Sequence, residues 1–174
     1  DRPGHSMLTG LIAAALGIRR VEADRLERLS AACRFAVRTD KPGTLLTDYH
    51  TTEAVTRDRK FTPTTRRDMI QFGRTKGKRG TILSEREYLT DARFTIAVAV
   101  EAEANEEFEI EALASALQRP QFALYIGRKS CVPGLPLDPQ RVEADNIDDA
   151  FETYDSMCEI RSDANASKAA ELWP

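Results

Sequence analysis

The sequence predicts an α+β fold built as one small domain, and three observations carry that prediction. Amphipathic helical segments alternate with short runs of β-branched residues, in the order helix, strand, arm, strand, helix, strand. A chain of 174 residues can bury a core of its own without metals or disulfides. Hydrophobic residues at 41% and charged residues at 30% are ordinary for a globular protein and exclude wholesale disorder.

The elements follow in order. Ser6 is placed to cap a helix through Leu8, Leu11, Ile12, Ala15 and Leu16, with Gly17 as its stop. Asp24 begins a second helix, where Glu27 completes a capping box and Leu26 and Leu29 form the apolar face. RFAVR (34–38) alternates as a strand, Lys41-Pro42-Gly43 is a turn, and TLLTDYHT (44–51) is a second extended piece. A basic arm follows. RFTIAVAVEA, from Arg93, is the strongest strand, alternating at Phe94, Ile96, Val98 and Val100. A helix is expected over 106–117, with Phe108, Leu113 and Leu117 inward and Arg119-Pro120 ending it. QFALYI (121–126) is read as the next strand, delivering the chain into Gly127-Arg128-Lys129-Ser130. A loop with Pro133, Pro136 and Pro139 leads to a last short helix capped at Asn146, and no structure is assigned beyond Tyr154. With one strand placed before the first helix, the order becomes βαββαβ, the ferredoxin-like plait shared by RNA-recognition domains. The chain begins at Asp1 with neither Met nor an apolar leader, so the natural N-terminus, and that first strand with it, is expected to be absent.

Charge is uneven along the chain. Between residues 57 and 86 there are ten Lys or Arg against three acids, a net +7, which leaves −10 elsewhere in a chain whose total is −3. One reading of such an arm is a solvated loop. The other is a segment that neutralises phosphates, its binding driven by released counterions. Phe61, Phe72 and Tyr88 lie within or beside the arm, and rings next to cations suit single-stranded nucleic acid. The glycines of GRTKGKRG do not make a phosphate loop. Their spacing is three rather than four, and Arg79 follows Lys78 where Ser or Thr is needed.

Other chemistries find little support. Cys33, Cys131 and Cys158 form no CxxC pair, which argues against a zinc ribbon or disulfide framework and for a reduced, cytoplasmic setting. Only His5 and His50 are present, too few for a His-based metal centre, so neither a metal nor a cofactor is expected. The longest aliphatic run, Leu11 to Leu16, is six residues and far too short to span a membrane.

Five segments are similar to one family in order and spacing. PGHSMLTGLI followed by AAALGI (3–18), FAVRTDKPGTLLTDYHT (35–51), REYLTDARFTIAV (86–98), LASALQRPQFALYIGRKSC (113–131) and the PGLPLDP loop (133–139) resemble the CasD family, Cascade subunits within the RAMP superfamily of CRISPR proteins. The resemblance covers residues 3 to about 155. It lacks the family's opening strand and glycine-bearing loop before Asp1, and shows no closing strands after Met157. The resemblance implies a RAMP plait over 1–155, with 52–83 inserted as a thumb and 156–174 as a tail or a remnant of closing strands. It further implies a non-catalytic subunit that holds the 5′ handle of the CRISPR RNA. The partners would be the backbone and large subunits of Cascade, with target DNA met only through the complex.

Candidate RNA-binding residues follow from both lines of reasoning. Arg86 opens REYL at the end of the arm, where a guanidinium can clamp phosphate or stack on a base, or else pair with Glu85 or Asp91. Tyr125 precedes Gly127 closely enough to stack under a base while the glycine admits the RNA backbone, its other reading being core packing. Arg128 and Lys129 offer cations, and Ser130 a hydroxyl donor. His5 and Ser6 sit at a helix start whose free N–H groups favour an anion, although an N-cap role alone would explain Ser6. Arg74, Lys76, Lys78 and Arg79 are the densest cations of the arm. The rival is catalytic. A related RAMP subclass cuts precursor RNA with Tyr, His and Lys, and Tyr49, His50 and Lys129 supply those residue types for metal-independent cleavage.

Overall fold

The computed structural model of the chain describes residues 2–55, 65, 67–68, 79–101 and 107–171, and describes their side chains apart from those of 52–55, 79–82 and 160–171. Along it run α1 (His5–Leu16), α2 (Ala23–Ala32), β1 (Cys33–Lys41), β2 (Thr44–Val55), β3 (Arg79–Thr90), β4 (Arg93–Val100), α3 (Ile110–Gln118) and α4 (Ile147–Glu171). The chain divides into two compact units, one of residues 1–40 and 94–174, the other of residues 41–93. Helices and strands are mixed as the sequence predicts, and the described strands form two antiparallel pairs, β1 with β4 and β2 with β3.

In the first unit α1 packs against α2 and α3. Ala32 O accepts from Glu101 N (3.0 Å) at one end of the β1–β4 pair, and the Thr95 hydroxyl donates to Asp40 (2.6 Å) at the other, so the two strands run in opposite directions. The core is apolar throughout: Ile12, Ala13, Ile18, Leu29, Ala32, Cys33, Phe108 and Leu113, with Phe35, Val98 and Val100 of the strands against them. Alternation explains the strand contribution, since Cys33 and Phe35, like Val98 and Val100, are two residues apart and share a face. Burial pushes the Cys33 thiol up from its ordinary pKa, which keeps it protonated and inert.

Gly17 stops α1 as expected. Its φ of 77° is left-handed, and Ile18 N donates to Ala13 O (2.9 Å), closing the helix end. The start differs: Gly4 is the N-cap, its carbonyl accepting from Met7 N and Leu8 N, so Ser6 lies inside the first turn and caps nothing. The capping box at Asp24 and Glu27 does not form either. Glu22 precedes α2 and takes the Arg19 N–H on its own carboxylate (2.7 Å), a bond that holds its pKa below the usual range.

The expected strand over 121–126 is absent, and those residues are irregular. Gln121 N donates to Ala15 O (3.0 Å), Phe122 N to Ala14 O (3.1 Å) and Ile126 N to Cys131 O (2.8 Å), so both ends of this segment are bonded to the last turn of α1 and to the following turn rather than to a strand. The helix expected over 106–117 begins later, at Ile110. Glu107 is held by Arg25 (2.9 Å) and Arg28 (2.7 Å), and this anchors the chain where Phe108 inserts into the core ahead of the first turn.

Asn146 caps α4 as read, its Oδ1 accepting from Asp149 N (2.9 Å), but the helix is long where a short one was expected and continues to Glu171. A distant residue holds it. The Arg38 guanidinium of β1 donates twice to Asp155 (2.8 Å each) and once to Asp40 (2.7 Å), and lies 4.9 Å over the Phe151 ring. The bonds from Arg38 hold the Asp155 carboxyl below the ordinary aspartate range. A depressed folded-state pKa contributes stability that is present above the unfolded value, about 4, and is lost as pH falls through the folded one. Asp155→Asn is therefore expected to destabilise the protein at neutral pH, with the gap to wild type closing as pH drops below about 4. Urea unfolding across that range is the measurement, and a gap independent of pH would refute it.

The second unit is the β2–β3 hairpin, paired from Thr44↔Thr90 to Val55↔Arg79. The turn into it requires Gly43, whose φ is 76° and whose place a Cβ could not take without coming within 2.6 Å of Thr90 O. Lys41 pairs with Asp91 beside that turn, and this lowers the Asp91 pKa.

Candidate nucleic-acid interface

In an antiparallel pair, residues directly opposite one another share a face. Leu46 and Tyr88, Asp48 and Arg86, and His50 and Ser84 are such pairs on one side of the hairpin. His50 Nε2 lies 2.8 Å from Asp48 Oδ2, and Ser84 Oγ donates to the His50 carbonyl (3.3 Å). Arg86 thus stands across the ribbon from a carboxylate and next to an imidazole, with an aromatic ring two residues along its strand. Asp91, one of the two acids considered for Arg86, is taken by Lys41.

The first unit carries a second cationic surface. Gly127, at a φ of 78°, turns the chain so that Ile126 N donates to Cys131 O (2.8 Å) and Cys131 N to Arg128 O (2.9 Å). This closed turn leaves Arg128, Lys129 and Ser130 exposed. A Cβ on Gly127 would lie 3.3 Å from Met7 Cε, so the turn rests on the first turn of α1. There the N–H groups of His5 and Ser6 precede the helix's own hydrogen bonds. The His5 ring is held: Nε2 lies 3.0 Å from Ser30 Oγ and 3.1 Å from Ser30 O, and the ring meets Phe35 edge-on at 5.1 Å. The turn carries two cations and a hydroxyl, Arg128, Lys129 and Ser130, at the surface, groups of the kind that meet phosphate.

The chain matches the family described as CRISPR-associated protein (Cas_Cas5) over residues 1–170. It belongs to the Cas5 family. Among its relatives is the CRISPR system Cascade subunit CasD of Escherichia coli (strain K12), 33% identical over 161 residues, covering 89% of this chain and 66% of that protein. A solved chain described as "Crystal structure of Cas protein" is 32% identical with a TM-score of 0.54, covering 87% of this chain and 56% of that one. Another, from a "CRISPR RNA-guided surveillance complex", is 30% identical with a TM-score of 0.48, covering 83% and 62%. The Cas5 chain described here therefore spans somewhat less than two thirds of the length of these relatives.

Within this Cas5 chain the expected RNA-binding residues fall into separate groups. Gly127, Arg128, Lys129 and Ser130 share one turn, which lies against the end of the Met7 side chain, while the ring of His5, near the start of α1, is turned to Ser30 and Phe35; Tyr125, half-buried, leads into the turn. Arg86 belongs to the other unit. Arg74, Lys76 and Lys78 lie outside the described residues, as do Phe61 and Phe72, and the side chain of Arg79, the first residue of β3, does too. Of the rival trio, Tyr49 and His50 are neighbours on β2 and project to opposite faces of the hairpin. Among the described residues no cluster of three or more His, Cys, Asp or Glu can hold a metal, and no helix is long and apolar enough to cross a membrane. Met7 and Ser30 support the site and were not legible as such. A methionine beneath a glycine more than a hundred residues away leaves no local signal.

Proposed function

We propose that this Cas5 chain is a non-catalytic, RNA-binding subunit of a Cascade-type CRISPR surveillance complex in the cytoplasm. It holds the 5′ handle of the CRISPR RNA, contacts the backbone and large subunits, and meets target DNA only through them. The observation that carries this reading is the exposed Gly127–Ser130 turn resting on the first turn of α1, in a chain whose arm concentrates a net charge of +7. The body, residues 1–155, is read as a ferredoxin-like plait of which β1, β4 and the helices packed on them are part. Residues 52–83 form its inserted thumb, with Arg86 at the thumb's base, and 156–174 extend from its end. Tyr125 stacks on a base of the handle, Gly127 admits the backbone, and Arg128, Lys129 and Ser130 meet phosphates together with the α1 N-terminus.

The test is competition of handle RNA against a scrambled strand in EDTA, with binding followed over a salt series. The RNA is expected to remain intact. If about five cations of the arm meet phosphates, the log–log salt slope is about −3.5, from roughly 0.7 per contact on single strands. Neutralising Arg74, Lys76, Lys78 and Arg79 together is expected to make it visibly shallower. Equal affinity for handle and scramble would overturn handle recognition. Site-specific cutting that His50→Ala abolishes would instead favour a metal-independent endoribonuclease, for which the Asp48-bound imidazole of His50 is the one supporting contact.

A further inference from the structure

The segment that leads into the Gly127–Ser130 turn runs back along α1 and is fastened at its two ends by unlike means. At the end of α1, Gln121 N and Phe122 N are bonded to Ala15 O and Ala14 O, and a Cβ on Gly17 would lie 3.2 Å from Gln121 Cβ. By Gly127 the chain is back at the first turn of α1, where a Cβ on Gly127 would lie 3.3 Å from Met7 Cε and 4.0 Å from its Sδ. Among the described residues no backbone hydrogen bond ties 123–131 to α1, since those of Ile126, Arg128 and Cys131 close the turn on itself. The turn therefore rests on one thioether.

A thioether suits such a contact and can be changed in place. It is apolar and adaptable, and the missing Cβ of Gly127 lets its methyl lie close to the turn. Met7 is half-buried, and residues 127–130 beside it are exposed, so a small oxidant reaches the sulfur. With hydrogen peroxide the sulfur lone pair attacks one peroxide oxygen. The S–O bond forms as the O–O bond breaks, and the second oxygen leaves as water. Sulfur loses two electrons and the peroxide gains them. The sulfoxide is polar and accepts hydrogen bonds, and enzymes that reduce it return the thioether. An oxygen added to Sδ needs both room and a donor at the point where an apolar methyl now fits between helix and turn.

We propose that Met7 is a modification site: its oxidation to the sulfoxide shifts the Gly127–Ser130 turn and weakens the hold of that turn on RNA, and its reduction restores both. This rests on the reading of the turn as an RNA contact and adds a redox control to it. Met157, 36% exposed on α4, serves as the internal comparison, being open to the same oxidant on a different element.

The experiment treats the full chain with hydrogen peroxide, locates the added oxygen by peptide mass spectrometry, and titrates the chain with single-stranded RNA carrying the handle or a scramble of it. A Cys131→Ser background removes the half-buried thiol of the same turn. Oxidation at Met7 is expected to weaken both RNAs about tenfold and to flatten the log–log salt slope by roughly 0.7–1.4, the share of one or two phosphates. Amide exchange at Ile126 and Arg128, whose bonds lie within the turn, is expected to quicken, and a methionine sulfoxide reductase to reverse every change. Met7→Leu, a swap of similar volume, is expected to bind RNA alike before and after peroxide, and Met7→Gln to resemble the oxidised chain without it. An equal peroxide loss in Met7→Leu overturns the proposal, as does full oxidation of Met7 with affinity and slope unchanged. So does a Met7 that stays reduced while Met157 is oxidised, or exchange that rises equally at Leu29 in the core, the mark of general unfolding. Mapping the oxidised parent chain keeps the test valid even if a Met7 variant misfolds. Loosening of Ile126 and Arg128 on oxidation, in a chain whose RNA affinity ignores Lys129→Ala, would leave the redox-sensitive support standing and bring down the RNA reading of the turn alone.

Discussion

Phe108→Ala is expected to cost about 3–5 kcal/mol, enough to unfold much of a domain of this size at physiological temperature. Phe108 is 2% exposed and is the largest of the fully buried side chains. It enters the core from irregular chain, just before the first turn of α3, and joins the buried cluster to which α1, α2, β1 and α3 contribute. The ring belongs to a cluster of side chains that are themselves buried, Ile12, Ala13, Ile18, Leu29, Ala32, Cys33 and Leu113, so its removal opens space inside a packed core. The transfer loss and the cavity therefore add. Phe108→Leu is expected to lose much less, and the pair separates cavity formation from loss of the Glu107 anchor, whose bonds to Arg25 and Arg28 both variants retain. Urea unfolding with unchanged m-value is the check. A loss below about 1 kcal/mol for Phe108→Ala would mean that the site collapses freely and that the core is less tightly packed than its burial implies.

The same region shows what sequence reading reaches. Gly17, Gly43 and Asn146 were legible because a helix stop, a left-handed turn and an N-cap each depend on one residue and its immediate neighbours. The two strands from Arg34 and Arg93 were legible because alternation is written along the strand itself. The segment 121–126 has the composition of a strand and is none: the N–H groups of Gln121 and Phe122 are claimed by α1 carbonyls more than a hundred residues earlier, and that of Ile126 by Cys131. The anchoring of α4 is another long-range effect: Asp155 binds an arginine 117 positions away. Ser6 and Asp24 carry sound local signals, but the helices begin earlier, with Gly4 and Glu22 at the N-cap positions and neither capping by its side chain.

The candidate site divides in the same way. The Gly127 turn and its cations could be read from GRKSC, and the left-handed φ of Gly127 accords with that. The pairing of Asp48 with Arg86, and the placement of Tyr49 and His50 on opposite sides, depend on the register of two strands separated by more than twenty residues. Register is set by the hairpin as a whole, so which residues share a face emerges only when the strands are paired.

Tyr125→Ala is expected to weaken handle binding about five- to a hundredfold in the assembled complex, since a stacked base contributes roughly 1–3 kcal/mol. Tyr125 lies in irregular chain next to the closed turn of residues 126–131, half-buried rather than sealed in the core. A ring in that position can rest one face on the protein and offer the other to a base. Tyr125→Phe keeps the ring and is expected to lose far less, because only the hydroxyl goes. Two controls fix the cause. Lys129→Ala removes a cation from the same turn, so it should flatten the salt slope by about 0.7 and weaken handle and scramble alike. Tyr125→Ala should leave the slope unchanged and lower the handle-to-scramble ratio, as loss of stacking does and loss of charge does not. A fall in thermal stability with that ratio untouched would show instead that the Tyr125 ring serves packing, and would move the base-stacking site elsewhere.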